Sequence, residues 1–255
     1  MSVASTAPSA PDRFQIGGVF YDSFAVLGRD PVLFVGLGAV FYALPRFAAW
    51  LWYVNSGAAQ LSFEAFVSEH VTIVLLGLPL YLLVTAVLQT SVIRATIVDL
   101  RGEKPAFADC FGVALALSFP ILGVSLLATL GIIVGLLLLI VPGILLVLRW
   151  AVALPVLIQE KRGILDSMAR SRDLTKGNRW PLLGLWLILI VTGALAGLVI
   201  NRVAIPLNVT FGLLAEATMR AAFLVLSSVA STVSYVELRR VKEGAGADEL
   251  SEIFS

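Results

Sequence analysis

The sequence is poor in charged residues and contains almost no cysteine or histidine. Charged residues make up 14% of the 255-residue chain and hydrophobic residues 59%, whereas a soluble domain has about 25% and about 45–50%. A water-soluble protein could not hide so much apolar surface. The single cysteine, Cys110, excludes an internal disulfide and a cysteine-based metal site. The net charge of +1 gives no electrostatic signal for nucleic acid.

The sequence also lacks the motifs that accompany common catalytic sites. It contains no glycine-rich phosphate-binding loop, no His-Glu-x-x-His, no Gly-x-Ser-x-Gly and no paired acidic site. Its serines and threonines have no nearby histidine that could act as a base. We therefore predict a protein that is not an enzyme and that needs no cofactor and no metal.

Long apolar blocks dominate what is present, at about residues 32–54, 71–93, 111–158, 180–200 and 212–236. A helix of roughly 20 residues crosses a bilayer core. The third block has no charged residue from Cys110 to Leu148 and is too long for one crossing, so two crossings joined by a turn fit better. Proline and glycine favour that turn at Val141-Pro142-Gly143, with Gly131 as the alternative. The sequence thus predicts an all-α polytopic bundle of six transmembrane helices.

Lysine and arginine are concentrated on one side of this six-pass topology. That side carries the amino-terminal segment, the connection after the second crossing, the long connection after the fourth crossing and the carboxyl-terminal tail. The other side has a loop at residues 55–70 without lysine or arginine, the predicted turn, and a short connection with Arg202 alone. Because cytoplasmic loops carry the excess of basic residues, both termini are predicted to be cytoplasmic.

Two stretches of the chain resemble two others. Residues 23–36 align without gaps with residues 171–184, and residues 96–101 (Thr-Ile-Val-Asp-Leu-Arg) resemble residues 234–239 (Ser-Tyr-Val-Glu-Leu-Arg). Each pair occupies matching places at the start and end of two crossings. The pattern predicts a parallel repeat, whose copies are related by an axis along the membrane normal.

The repeat divides the chain into a single membrane domain at residues 14–240 with two tails. Within the domain we expect two repeat-like units and an inserted helical hairpin, at about residues 14–101, 162–239 and 111–160. Residues 1–13, which are rich in alanine, serine and proline, are predicted to be a disordered tail. Residues 241–255 are predicted to be a flexible cytoplasmic tail.

An amphipathic interfacial helix is predicted before the first crossing and before the fifth. In the second copy, apolar residues recur at near-helical spacing from Ile164 to Leu174. The basic residues around them are Arg170, Arg172, Lys176 and Arg179. A helix of this kind lies in the headgroup plane and is attracted to anionic lipid. The alternative is a solvated cytoplasmic loop whose charges only set the topology, and the interfacial helix is the preferred interpretation.

Four ionisable residues fall inside the predicted crossings: Arg46, Arg149, Glu216 and Arg220. Buried charges are costly and often functional, and Glu216 and Arg220 have the i, i+4 spacing of a helical pair. One hypothesis brings all four together in the outer half of the bundle, as a polar cavity for an anionic group such as a lipid phosphate. In the other hypothesis, Glu216 and Arg220 form an internal pair. Arg46 and Arg149 then donate to backbone carbonyls that Pro45 and Pro142 leave without a helical partner, or they extend outward to the membrane surface. The second, structural interpretation is the preferred one.

The segment with Val141-Pro142-Gly143, Arg149-Trp150, Pro155 and Glu160, followed by Ser-Arg-Asp-Leu-Thr-Lys-Gly-Asn-Arg-Trp at residues 171–180, resembles a bacterial family. That family is the glycerophosphoryl diester phosphodiesterase membrane domain. The resemblance implies a module of the bacterial cytoplasmic (inner) membrane, often standing alone. In family fusions such a domain precedes a soluble phosphodiesterase; since this chain ends at Ser255, we expect no such catalytic domain in it.

Three functions are compatible with these features. The first is a non-enzymatic membrane module that engages anionic phospholipid or supports a membrane partner. Its partners would be membrane lipids, another membrane protein or a second copy of the chain, and not nucleic acid. The alternative is a transporter or permease subunit with a polar site in the outer half of the bundle. A membrane-embedded enzyme acting on lipid is the third and most distant hypothesis.

Overall fold

The computed structural model describes residues 14–57, 60–62, 64–65, 68 and 70–253, without the side chains of residues 73, 74, 78 and 245–253. The predicted tail at residues 1–13 lies outside the described residues. The described part is all-α and has no strand. Its helices in chain order are α1 (Ile16–Arg29), α2 (Pro31–Asn55), α3 (Val71–Leu100), α4 (Phe107–Leu138), α5 (Ile140–Arg149), α6 (Ala153–Glu160), α7 (Ile164–Thr175), α8 (Arg179–Leu207) and α9 (Val209–Ile253).

Six helical spans in the described residues are long and apolar enough to cross a membrane, which confirms the predicted number of crossings. The spans are Pro31–Asn55, Leu75–Leu100, Phe107–Leu138, Ile140–Glu160, Arg179–Leu207 and Val209–Gly244. Short helices, α1 and α7, precede the first and fifth spans, as predicted. We call the end of the bundle at which α2, α4 and α8 begin the basic end, and the opposite end the loop end.

The start of α2 shows how the sequence sets a helix boundary. Asp30 caps the helix, because its carboxylate accepts a hydrogen bond from the backbone N–H of Leu33 at 3.2 Å. Pro31 occupies the first turn, where its missing N–H has no helical acceptor to lose. The chain therefore turns from α1 into the first span without a loop.

The turn between the third and fourth spans lies at Leu139, and not at Val141-Pro142-Gly143 as the sequence predicts. Leu139 is extended, with φ −163° and ψ 147°. Pro142 fits inside the first turn of α5, where a proline is tolerated. Gly143 is needed for the close approach of the two helices, because a Cβ atom there would lie 2.8 Å from the backbone nitrogen of Leu136. The proline and glycine thus belong to the start of a helix that packs against its neighbour.

The fourth span is broken into α5 and α6 at Trp150–Val152. Two carbonyl groups near the break are satisfied by serine side chains of other helices. The hydroxyl of Ser171 on α7 donates to the carbonyl of Arg149 at 2.9 Å, and the hydroxyl of Ser231 on α9 donates to the carbonyl of Ala151 at 2.7 Å. A non-helical backbone at this depth is stable because protein groups replace the missing helical bonds.

The helix α7 packs into the bundle along one face. Its buried residues are Ser167, Met168, Ser171, Leu174 and Thr175, while the side chain of Leu165 is 72% exposed. The buried stripe is therefore partly polar and differs from the apolar stripe that the sequence suggests. The Ser171 bond to α5 explains why a hydroxyl belongs on this face.

Two large apolar clusters and one small cluster, formed by Ala43, Ala217 and Ala221, make up the core of the described residues. The larger of the two large clusters joins α1, α2, α3, α8 and α9 around Phe34, Leu88 and Tyr235, and the other joins α3, α4, α6 and α7 around Ile121 and Leu157. The last helix, α9, continues to Ile253, past residue 240, where the sequence predicts the start of a flexible tail. Glu243 holds this extension by pairing with Arg239 on the same helix and with Arg170 on α7.

Candidate functional site

An ion cluster joins α2 and α9 near the middle of the bundle. Glu216 and Arg220 lie one turn apart on α9, and Arg46 reaches them from α2. Arg220 is 11 residues after Val209, which places it about 16 Å along α9 from the loop end. The cluster therefore lies well inside the spans.

The carboxylate of Glu216 is shared by both arginines. The Nε of Arg46 donates to Oε2 of Glu216 at 3.3 Å, and its Nη2 donates to Oε1 at 3.3 Å. The Nε of Arg220 donates to the same Oε1. The Glu216 side chain is only 10% exposed, whereas the side chains of Arg46 and Arg220 are 41% and 51% exposed. The cluster carries a net charge of +1.

Both arginines retain unused donors. A guanidinium has five N–H donors, and within the described part of the chain the side-chain hydrogen bonds of Arg220 use only its Nε. Among the same residues, the side-chain hydrogen bonds of Arg46 do not use its Nη1. Glu216, in contrast, has both of its oxygens engaged. The cluster can therefore bind an additional acceptor, and its net charge of +1 disfavours an additional cationic donor.

Two adjoining cavities flank the cluster. One, of about 710 Å³, lies between α3, α8 and α9 and is lined by Arg220. The other, of about 580 Å³, lies between α2, α3, α8 and α9 and is lined by Arg46 and Glu216. Tyr42 and Tyr81 line both cavities, with ring centroids 6.4 Å apart. The two tyrosines thus stand where the cavities meet.

Two π-helical turns supply polar residues to these cavities. Tyr42 lies in the turn Ala39–Ala43 of α2, and Asn201 lies in the turn Ile200–Ala204 of α8. Single π turns inside α-helices occur frequently at functional sites. The amide nitrogen of Asn201 donates to the carbonyl of Gly197 at 2.9 Å, which leaves the amide oxygen as an acceptor. Asn201 lines both cavities.

The fourth predicted member, Arg149, is not part of the cluster. It is the last residue of α5, and among the described residues its half-buried guanidinium has no hydrogen bond or ion pair. The adjacent break in the span lies beside Ser231, which is 11 residues from Arg220 along α9, or about 16 Å. The structure therefore brings together three of the four charges that the sequence singles out.

The basic residues around α7 have different environments. Arg170 pairs with Glu160 at 3.3 Å and with Glu243, so it connects α6, α7 and α9. Burial alone would lower the pKa of Arg170, but the hydrogen bonds and charges of these two glutamates raise it overall. The guanidinium of Arg170 thus stabilises the packing of α6, α7 and α9.

The other three basic residues of this segment are less constrained. Arg172 is half-exposed beside Asp173 at 3.3 Å, and Lys176 is exposed. The Nε atom of Arg179 is buried and has no hydrogen-bond partner among the described residues. Arg172 and Lys176 therefore have the exposure that contact with lipid headgroups requires, and Arg170 does not have it to the same degree.

Sequence reasoning missed the neutral polar residues of the site and one interhelical pair. Tyr42, Tyr81 and Asn201 carry no charge, so only their position in apolar stretches could have marked them. Arg29 at the end of α1 donates to the buried carboxylate of Asp99 on α3, with its Nε 3.0 Å from both oxygens. This bond is the main reason that the pKa of Arg29 is raised.

The described residues contain no group of three or more histidine, cysteine, aspartate and glutamate side chains that could hold a metal ion. The chemistry that the cluster does offer is the binding of an anion by two guanidinium groups.

Residues 121–237 match the family described as the membrane domain of glycerophosphoryl diester phosphodiesterase. The resemblance stated from the sequence is thereby confirmed over this range, which contains α5 to α8 and most of the last span. The match is to the membrane part of that family and not to its catalytic domain. No curated protein and no solved structure matches the chain.

Proposed function

We propose that this chain is a non-enzymatic membrane module that binds the anionic headgroup of a phospholipid at Arg46, Glu216 and Arg220. The observation that supports the proposal is the pair of half-exposed guanidiniums that share one buried carboxylate beside two cavities. A net positive charge inside a membrane span is costly unless it is compensated. A phosphate group at the cluster would compensate it.

The arrangement of donors favours an anion over a zwitterion. Arginine binds phosphate through two parallel N–H groups, and the unused donors of Arg220 point to this mode. The ammonium group of a zwitterionic headgroup would meet a cluster of net charge +1, whose one carboxylate is already paired with two guanidiniums. Phosphatidylglycerol is therefore a better probe of the site than phosphatidylethanolamine.

The same cavities support one alternative, a transporter or permease subunit with a polar site in the outer half of the bundle. Its supporting observation is that the two cavities adjoin at Tyr42 and Tyr81. A transporter requires water access from both ends of the bundle. Cysteine substitutions along the two cavities, labelled from each side of the membrane, would show such access; labelling from one side alone would exclude the alternative.

We place the module in the bacterial cytoplasmic membrane with the basic end in the cytoplasm. The support is the concentration of arginine and lysine at that end and the rule that relates such residues to orientation. A reporter inserted at Ser62 should be periplasmic, and one fused to the carboxyl terminus should be cytoplasmic. The reverse result would contradict the orientation.

The lipid proposal is tested by native mass spectrometry of the protein purified in mild detergent. The wild type should retain phosphatidylglycerol, and Arg220→Gln should reduce its retention at least tenfold. Arg202→Gln is the matched control, because Arg202 is an exposed arginine in the π turn of α8 that lines neither cavity. Equal retention by both variants would make the cluster a structural ion pair and refute the proposal.

A further inference from the structure

The two cavities occupy different levels along the helices. On α8 the larger cavity is lined from Ile190 to Asn201, whereas the smaller is lined by Asn201 and Ile205. On α9 the larger is lined from Met219 to Leu224 and the smaller from Leu213 to Ala217. We call the larger the inner chamber, because it extends toward the basic end, and the smaller the outer chamber, because it extends toward the loop end. The ion cluster lies at the boundary between them.

The inner chamber has a charged end next to the outer chamber and a mainly apolar wall, with the neutral polar side chain of Gln89 at its opposite end. Arg220 and Asn201 lie at the end next to the outer chamber, and Ile190, Phe223 and Leu224 line the remainder. The wall from Asn201 to Ile190 spans 11 residues of α8, or about 16 Å. The chamber therefore has the shape and polarity of a slot for a chain attached to an anionic group.

Small residues on α8 create the space. Gly193, Ala194 and Gly197 line the inner chamber, and Gly193 also allows Phe223 of α9 to approach, because a Cβ atom there would lie 2.8 Å from the Phe223 ring. The chamber is bounded on its other side by α3. Thr85 of α3 donates its hydroxyl to carbonyls of its own helix, so it presents little polarity to the chamber, and Gln89 lies at the end nearest the basic end.

We infer that the bound lipid inserts an acyl chain into the inner chamber and places the rest of its headgroup in the outer chamber. This inference rests on the proposed function and specifies how the ligand lies in the site. A phospholipid has its chains on one side of its phosphate and the remainder of its headgroup on the other. The chambers lie in this order on either side of the arginines, which assigns the lipid to the leaflet at the loop end.

The test fills the inner chamber without touching the cluster. Ala194→Trp places an indole in the chamber, and Leu195→Trp is the matched control, because Leu195 is 57% exposed and does not line either chamber. The probes are a long-chain and a short-chain phosphatidylglycerol, dioleoyl and dihexanoyl, titrated against each protein and measured by native mass spectrometry.

The expected result is that Ala194→Trp weakens binding of the dioleoyl lipid at least tenfold and leaves binding of the dihexanoyl lipid within about twofold. Leu195→Trp should bind both as the wild type does. If Ala194→Trp binds the dioleoyl lipid as well as the control does, the acyl chain lies elsewhere and the inference is overturned. If the wild type binds neither lipid, the proposed function itself fails, which is a different outcome.

A second variant tests whether the inner chamber holds an acyl chain or needs a polar group at its far end. Gln89→Leu makes the far end of the inner chamber apolar, so it should preserve or strengthen binding of the dioleoyl lipid. A loss of that binding as large as that of Arg220→Gln would show that the chamber needs a polar end, and it would overturn the acyl assignment.

Discussion

Replacing Glu216 by glutamine removes the one negative charge of the cluster and changes its net charge from +1 to +2. The replacement keeps the size of the side chain and one acceptor oxygen. The change should lower the stability of the folded protein and raise its affinity for an anionic lipid. This makes Glu216→Gln a sharper test than the removal of either arginine.

The folded protein should lose stability. Glu216 is buried and is the partner of two guanidiniums. Breaking a fully buried pair costs about 3–5 kcal/mol, but Arg46 and Arg220 are 41% and 51% exposed. Because both guanidiniums line open cavities, where water screens them in the absence of lipid, we expect a loss of roughly 1–2 kcal/mol.

Binding of an anionic lipid should strengthen at the same time. A phosphate on the far side of either guanidinium would lie about 7 Å from the Glu216 carboxylate, and at an effective dielectric constant of about 20 their repulsion is roughly 2 kcal/mol. This corresponds to a roughly 30-fold change in affinity. Because both guanidiniums line open cavities, in which water reduces the repulsion, we expect tightening of about tenfold for phosphatidylglycerol.

The assay combines thermal unfolding without lipid and titration with phosphatidylglycerol, followed by native mass spectrometry. Glu237→Gln is the control, since it makes the same substitution on the same helix at a position that lines neither chamber. If Glu216→Gln binds the lipid no better than the wild type, the arginines do not bind the phosphate and the electrostatic reasoning is wrong.

Two further predictions concern the packing that holds the site in place. Asp99→Asn should lower the free energy of unfolding by roughly 1–2 kcal/mol, because it weakens the bond from the half-exposed Arg29 to a buried acceptor; an unchanged melting temperature in detergent would show that this pair contributes nothing. Gly143→Val should lower the free energy of unfolding by roughly 1–3 kcal/mol, because the new side chain meets Leu136 across the hairpin. Gly36→Val is the control, since a Cβ atom there meets nothing within 4 Å, and equal effects would refute the reasoning.

The six spans could be predicted from the sequence because apolar composition over about 20 residues is a direct requirement of the bilayer. The position of the turn at Leu139 could not be predicted from the sequence. It lies in a run of leucine and isoleucine that carries no turn signal, and the proline and glycine nearby serve the first turn of α5 instead. A local signal identified the right region but not the residue at which the chain reverses.

The site was predictable to the extent that charge reveals it. Glu216 and Arg220 could be paired from their spacing on one helix, and Arg46 joins them across the bundle. Arg149 sits at a similar distance from the loop end of its own helix but belongs to a different part of the bundle, because the fourth span packs against α4 and α7. Linear distance along a helix does not determine which neighbour a side chain faces.

The neutral polar residues of the site have no charge that would mark them in the sequence. Tyr42 and Asn201 reach the chambers from π-helical turns, whose positions depend on the packing of whole helices. Their hydroxyl and amide groups are also compatible with an ordinary place at the membrane surface. Only the assembled bundle shows that they line the same two chambers as the arginines.

The most direct test of the central proposal is an experimental structure of the protein in nanodiscs that contain phosphatidylglycerol. The proposal predicts a lipid phosphate about 3 Å from the guanidinium nitrogens of Arg46 or Arg220, with an acyl chain beside Ala194. A structure in which the cluster is closed on itself and the phosphates lie only in the surrounding bilayer would contradict it.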